Sequence, residues 1–318
     1  MLSDIIDYAG LFPPADLDLR RSVDNYARYR HDPESWMLAR FVLPVSRLDD
    51  LTAFSNLFTE PEPFQFSVLG TGGDTAAAFL EAFARDLEAI ETFHALHSDR
   101  VQAHVMEVPL PNELLDADIP RLARFFQAAE RRLIAQGTAK LDLFFEVPLD
   151  ERTAAITPPI LAAMADQNDR QSLPARSTLG LKMRTGGAYP EDVPDANHVA
   201  FAIAQCRDAG VRFKATAGLH HPVRHYDDSI ETMMHGFLNV FGAAVLADEH
   251  DLNPDAIASI LREDEPKRFQ FTKEAFAWGG LTADPDAIHH VRQHLATSFG
   301  SCSFEEPRDD LRGLQLIR

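Results

Sequence analysis

Two glutamates in one repeated setting are the first residues with chemical potential. Met106-Glu107-Val108-Pro109-Leu110 and Phe145-Glu146-Val147-Pro148-Leu149 share the tetrapeptide Glu-Val-Pro-Leu inside apolar runs. An acid among apolar neighbours is costly to bury unless it is paired or used. Burial that lifts a carboxyl pKa toward neutrality makes it a general acid or base. Two lysines occur in a matching pair of settings. Lys182 lies in Leu179–Met183 and is followed by Thr185-Gly186-Gly187, and Lys214 lies in Val211–Thr216 and is followed by Ala217-Gly218. Of 30 basic residues only Lys140, Lys182, Lys214, Lys267 and Lys273 are lysines, so arginine is the default cation here. Unlike arginine, lysine can be made a neutral amine by burial or by a neighbouring cation, and that amine attacks carbonyls to form a Schiff base. Two lysines on adjacent strands would depress each other's pKa. The structural counterpart of this reading is a pair of buried lysines bridged to Glu107 and Glu146.

Other groups gather around these four. By the two-residue period of a strand, Arg184 shares a face with Lys182, and Thr216 with Lys214. Arg184, Thr216, Gly186 and Gly187 are therefore candidates for holding substrate. His220 and His221 follow the Lys214 strand. Either could hydrogen-bond substrate oxygens or join Glu107 and Glu146 as a metal ligand. Gly279-Gly280 and Gly300-Ser301 lie in the last third of the chain, where exposed backbone N–H groups are expected to hold a phosphate. Cys302 is a weaker nucleophile candidate, because the sequence places no base beside it. His289-His290 reads as surface, and His235 with Asn239 as a structural hydrogen bond.

These residues need elements to position them. Six apolar runs read as strands: 40–45, 64–69, 101–108, 141–147, 179–183 and 211–216. Two weaker ones follow, 268–276 and 298–304. Helical patterns fill the gaps at 75–94, with Asp74 as N-cap, and at 119–136, 158–165, 197–209 and 229–247. A final helix opens at Asp284-Pro285. About eight strand-then-helix units predict a (β/α)₈ barrel. An open doubly wound sheet would carry a Gly-rich turn after its first strand, and Val42-Leu43-Pro44-Val45-Ser46 has none. In a barrel, chemistry collects where the strands end, and the glutamates, lysines and histidines all lie there. No linker divides the chain, so residues 1–318 are expected to form one barrel domain. Residues 1–35 precede the first strand in this count and are expected to cap the barrel.

The segment Lys214-Ala215-Thr216-Ala217-Gly218 resembles the Lys-x-Ser/Thr-x-Gly strand of deoxyribose-phosphate aldolase, a class I aldolase with a barrel fold. The resemblance implies a Schiff base on a strand-six lysine, which the count above assigns to Lys214. That family keeps its second lysine on the following strand, whereas Lys182 comes on the preceding one. The Leu219-His220-His221-Pro222 extension is foreign to the family.

Composition narrows the function classes. The 318 residues carry 49 acidic and 30 basic side chains, a net charge of -19, which excludes non-specific nucleic-acid binding through basic patches. No apolar run approaches the roughly 20 residues of a membrane span. The N-terminus lacks the basic segment of a signal peptide, and two cysteines without metal spacing suggest no disulfide framework, so a cytoplasmic protein is expected. The favoured reading is a Schiff-base lyase or aldolase acting on a small carbonyl compound, phosphorylated or not. In it Lys214 is the nucleophile and Lys182 its modulator, Glu146 and Glu107 carry protons, and neither cofactor nor metal is needed. A metal-dependent isomerase or hydrolase using Glu107, Glu146 and His220 or His221 is the alternative. A ligand-binding barrel without chemistry is a further one. A small-molecule substrate is the expected partner, and self-association into a homo-oligomer is an open expectation.

Overall fold

The computed structural model describes residues 1–58, 62–137, 140–170 and 177–317. Eight parallel strands close into a barrel. In chain order they are β1 (Ile6–Tyr8), β2 (Leu38–Pro44), β3 (Phe64–Leu69), β4 (Val101–Pro109), β5 (Asp142–Val147), β6 (Leu179–Arg184), β7 (Phe213–Thr216) and β8 (Ala296–Ser301). Each pairs with its sequence neighbour, and β8 closes the ring against β1 through Ile6–Phe299, Asp7–Gly300 and Tyr8–Ser301. The helices are α1 (Leu19–Tyr29), α2 (Ala76–His97), α3 (Ile119–Gln136), α4 (Thr153–Asp169), α5 (Ala196–Ala209), α6 (Phe237–His250), α7 (Pro254–Leu261), α8 (Pro285–His294) and α9 (Glu305–Gly313). No helix among the described residues is long and apolar enough to cross a membrane.

Local chemistry sets the helix ends. Asp118 accepts a hydrogen bond from the Arg121 N–H at the start of α3, and Gly137 closes it in the left-handed region at φ 80°. At α2 the cap is Thr75, whose hydroxyl accepts from the Ala78 N–H, rather than Asp74. The apolar core lies between barrel and helices. Phe145, for instance, points outward from β5 and packs on Phe79, Phe125 and Phe126, with ring centroids 5.8, 5.9 and 5.3 Å away. Alternation then turns its neighbours Phe144 and Glu146 inward.

Three expectations are corrected. The first barrel strand lies inside the segment read as a cap, so the six clear strands of the sequence are β2 to β7. Three residues flanked by turns are too short to show a period, which is why β1 escaped notice. The 268–276 run is not a barrel strand. Gln270–Phe271 pairs antiparallel with Phe276–Trp278, which pairs with Leu281–Ala283 in a small separate sheet. The 229–247 pattern is helical only from Phe237. Before it, His225–Asp227 and Thr232–Met234 form a hairpin.

Candidate active site

Side chains that a barrel interior would ordinarily fill with branched hydrocarbons are here a network of charges. Lys214 is 2% exposed, and its Nζ lies 2.6 Å from Asp7 Oδ2 and 2.6 Å from Glu107 Oε1. It also donates to Ser67 Oγ at 3.2 Å. Glu107 bridges the lysines, since its Oε2 is 3.0 Å from Lys182 Nζ, and Ser67 donates to its Oε1 at 2.6 Å. Lys182 reaches Glu146 Oε2, also at 3.0 Å, and the Arg184 Nε donates to Glu146 Oε1 at 3.1 Å. At the other end, Asp7 accepts from Ser298 Oγ at 2.6 Å and from the Arg40 backbone N–H at 3.1 Å. The chain of contacts runs Asp7, Lys214, Glu107, Lys182, Glu146, Arg184. Side-chain exposure rises along it, from 2% at Lys214 to 10% at Lys182, 21% at Glu146 and 50% at Arg184.

The barrel sheet explains these placements. Lys182 is the register partner of both Glu146 on β5 and Lys214 on β7. The two Glu-Val-Pro-Leu copies are staggered, however. Glu146 pairs with Pro109, not Glu107, so it stands two residues nearer the strand ends. Gly180 on β6 is forced by crowding, because a Cβ there would come within 2.6 Å of the Phe144 ring. That ring lies 5.7 Å from Lys214 Nζ.

Electrostatics follow from this packing. Burial alone would raise the Glu107 pKa, but the Lys214 and Lys182 ammonium groups outweigh it and hold the carboxyl far below the usual range. Burial is likewise overcome at Glu146 by Lys182 and Arg184, and its pKa is lowered. At Lys182, burial favours the neutral amine, but Glu107 and Glu146 prevail and raise the pKa. Mutual depression of two lysines, expected from the sequence, is therefore corrected for Lys182. Glu107 stands between them, and Lys182 rests as an ammonium with a proton acceptor on either side. The bridging to Glu107 and Glu146, given above as the structural counterpart, is present.

Arg184 and Glu146 also line a cavity of about 330 Å³ at the strand ends, walled by Pro109, Leu110, Leu149 and Pro194 among others. Clefts on the opposite face, around Met1, Trp36 and Phe271, contain none of the cluster. Thr216 and Gly300 face one another, since a Cβ on Gly300 would lie 3.3 Å from Thr216 Oγ1. Ser301 Oγ is spent locally, donating to the Ser303 carbonyl at 2.7 Å.

The remaining candidates lie elsewhere. Gly186 packs against Gly218, where a Cβ would sit 3.0 Å from the Gly218 Cα, and Gly187 against the Asp192 side chain. Gly279-Gly280 form the turn between Phe276–Trp278 and Leu281–Ala283, outside the barrel sheet, because the predicted seventh strand is not one. His220 Nδ1 contacts Glu306 Oε2 at 3.0 Å, and His221 Nδ1 contacts Asp310 Oδ2 at 2.5 Å. Neither joins Glu107 and Glu146, and among the described residues no group of three or more His, Cys, Asp or Glu side chains is arranged to hold a metal ion. His235 contacts the Pro194 carbonyl, and Asn239 binds backbone at Arg224, Ile260 and Glu263, so the two are not bonded to each other.

Sequence reasoning missed Asp7, Ser67 and Ser298. The signal at Asp7 was available: Ile5-Ile6-Asp7-Tyr8 sets an acid among apolar residues, as at Glu107 and Glu146.

No family model matches the chain, and no curated protein does. Among solved structures it is similar to Haloferax volcanii malate synthase, native at 3 mM glyoxylate, at 11% identity and a TM-score of 0.43, over 81% of this chain and 72% of that one. The lead(II) complex of the same enzyme gives 12% identity and a TM-score of 0.42, over 84% and 74% of the two chains.

Proposed function

We propose that this barrel is a Schiff-base lyase of the class I aldolase type acting on a small carbonyl compound, with Lys182 rather than Lys214 as the amine. The observation that carries the reading is Lys182 Nζ at 3.0 Å from both Glu107 and Glu146, beside the cavity that Glu146 and Arg184 line. Lys214 is locked between Asp7 and Glu107 with almost no exposure. The corrected strand order puts Lys182 on the sixth barrel strand and Lys214 on the seventh, so the strand position implied by the resemblance falls to Lys182 while the Lys-x-Thr-x-Gly motif that carries the resemblance stays at Lys214.

In this reading Glu146 accepts a proton from the Lys182 ammonium as substrate enters. The amine attacks the carbonyl carbon, and Glu146 returns the proton to the departing hydroxyl. The balance is one ammonium and one carbonyl giving one iminium and one water. Asp7, Lys214 and Glu107 hold the cluster's charge while this happens. Arg184, half exposed at the rim, is suited to an anionic group on the substrate, carboxylate or phosphate.

The test is borohydride reduction in the presence of small aldehydes, ketones and sugar phosphates, followed by peptide mapping. The expected result is an adduct on Lys182, absent in Lys182→Met. An adduct on Lys214 restores the assignment made from sequence. The raised pKa of Lys182 favours one second reading, in which the ammonium only polarises a substrate oxygen and Glu146 moves a proton on carbon. Exchange of substrate C–H for deuterium without any trapped adduct would establish it and overturn the first.

A further inference from the structure

A second chemical constellation stands at the same end of the barrel, and the lysine chemistry does not use it. Cys302 lies one residue past β8, and its Sγ is 3.8 Å from His220 Nδ1 and 4.0 Å from His220 Nε2. His220 comes from the loop after β7 and is engaged on its Nδ1 side by Glu306, 3.0 Å away on the first turn of α9. Three elements thus bring a thiol, an imidazole and a carboxylate together, with Nδ1 the ring nitrogen nearest both the sulfur and the carboxylate. The sequence offered no base for Cys302, because 82 residues separate it from His220. Burial would lower the His220 pKa, but Cys302 and Glu306 outweigh it and raise it to about 9.

We infer that Cys302 is a nucleophilic thiol site that adds to small, uncharged conjugated carbonyl compounds entering the barrel mouth. At neutral pH His220 stands as an imidazolium against Glu306, and the Sγ proton leaves to solvent beside it. The sulfur electron pair forms a bond to the β-carbon of the alkene, and the π electrons move toward the carbonyl. The imidazolium then gives its proton to the α-carbon and regains one from solvent. Thiol adds across a double bond, nothing is oxidised or reduced, and no co-reactant is required. Addition is favoured over acyl transfer because it needs only a proton donor beside the sulfur, which the imidazolium supplies. The ligand is small because Cys302 is only 8% exposed. It is uncharged because the neighbouring carboxylates are already matched, Glu305 by Arg28, Glu306 by His220 and Asp310 by His221, and leave a charged ligand no partner among them.

The experiment uses acrylamide as the probe on the native protein at neutral pH, read by intact mass and peptide mapping. Cys206 is the internal control, fully buried and with its thiol pushed up by burial. The expected result is one adduct, on Cys302, with Cys206 untouched. The rate should fall at least about tenfold in His220→Gln and by less in Glu306→Gln. Labelling of Cys302 only after denaturation overturns the inference, as does a rate that neither substitution changes. Should Cys206 react in His220→Gln, that variant has unfolded, and Glu306→Gln, altered on the exposed side of α9, decides the question. Because the readout is mass and not turnover, the result is independent of whether Lys182 forms a Schiff base.

Discussion

At the scale of single residues, the cluster makes stability depend on pH at both ends. Glu107 and Glu146 have lowered pKa values in the folded chain, so their contribution is complete above the unfolded carboxyl value near 4.5 and is lost as pH falls below it. Lys182 has a raised pKa, so its contribution is complete below the ordinary 10.5 and is lost as pH rises beyond that. Urea midpoints measured across pH should therefore form a plateau with an acid limb and an alkaline limb. Glu107→Gln should flatten the acid limb. It should also lower the plateau by roughly 3–5 kcal/mol, because Lys182 and Lys214 lose the carboxylate that bridges them. An unchanged plateau would mean that the cluster takes up water or rearranges when the bridge is removed.

At the scale of elements, sequence and structure agree where a strand is long enough to show its pattern. The strand expected over 64–69 and the helix expected over 119–136 match β3 and α3 at both ends, and Lys182 and Lys214 stand on adjacent strands. What the sequence could not show was stagger. Glu107 and Glu146 occupy equal places in equal tetrapeptides, yet register with Pro109 sets Glu146 two residues higher and lets it see the cavity. Nor can a three-residue strand announce itself, so Asp7 escapes notice and the six clear strands each fall one place later in the barrel than counted, while 298–304 keeps the eighth place because 268–276 is not a barrel strand. The partnership of Cys302 and His220 was invisible for a related reason, because only barrel closure brings the two loops together. Stagger and closure also make Gly300 a sensitive position. Gly300→Val should fold, since a Cβ there meets only Thr216 Oγ1, but its branches would crowd the floor of the mouth. Borohydride trapping should slow several-fold while the far-ultraviolet circular dichroism stays as in the wild type. Trapping at the wild-type rate would place the substrate's path away from β8.

At the scale of the whole molecule, a net charge of -19 means that the folded state repels itself. Added salt screens exposed charges strongly and the buried cluster little. The melting temperature should accordingly rise by several degrees between about 0.05 and 0.5 M sodium chloride. A fall instead would show that surface ion pairs, such as Arg28–Glu305, outweigh the general repulsion.

Ser298 and Asp7 touch across 291 residues of chain. The same ring closure delivers Asp7 to Lys214, which stands on β7, on the far side of β8 from β1. During synthesis, then, Asp7 leaves the ribosome early and can meet Arg40 on β2, but its contacts with Lys214 and Ser298 wait for the last two strands. Contacts of such long range are slow to form. Strands β4 to β6 can bring Glu107, Glu146 and Lys182 together before the chain is finished. The unbroken line of charges from Asp7 to Arg184 exists only once the final strand closes the ring.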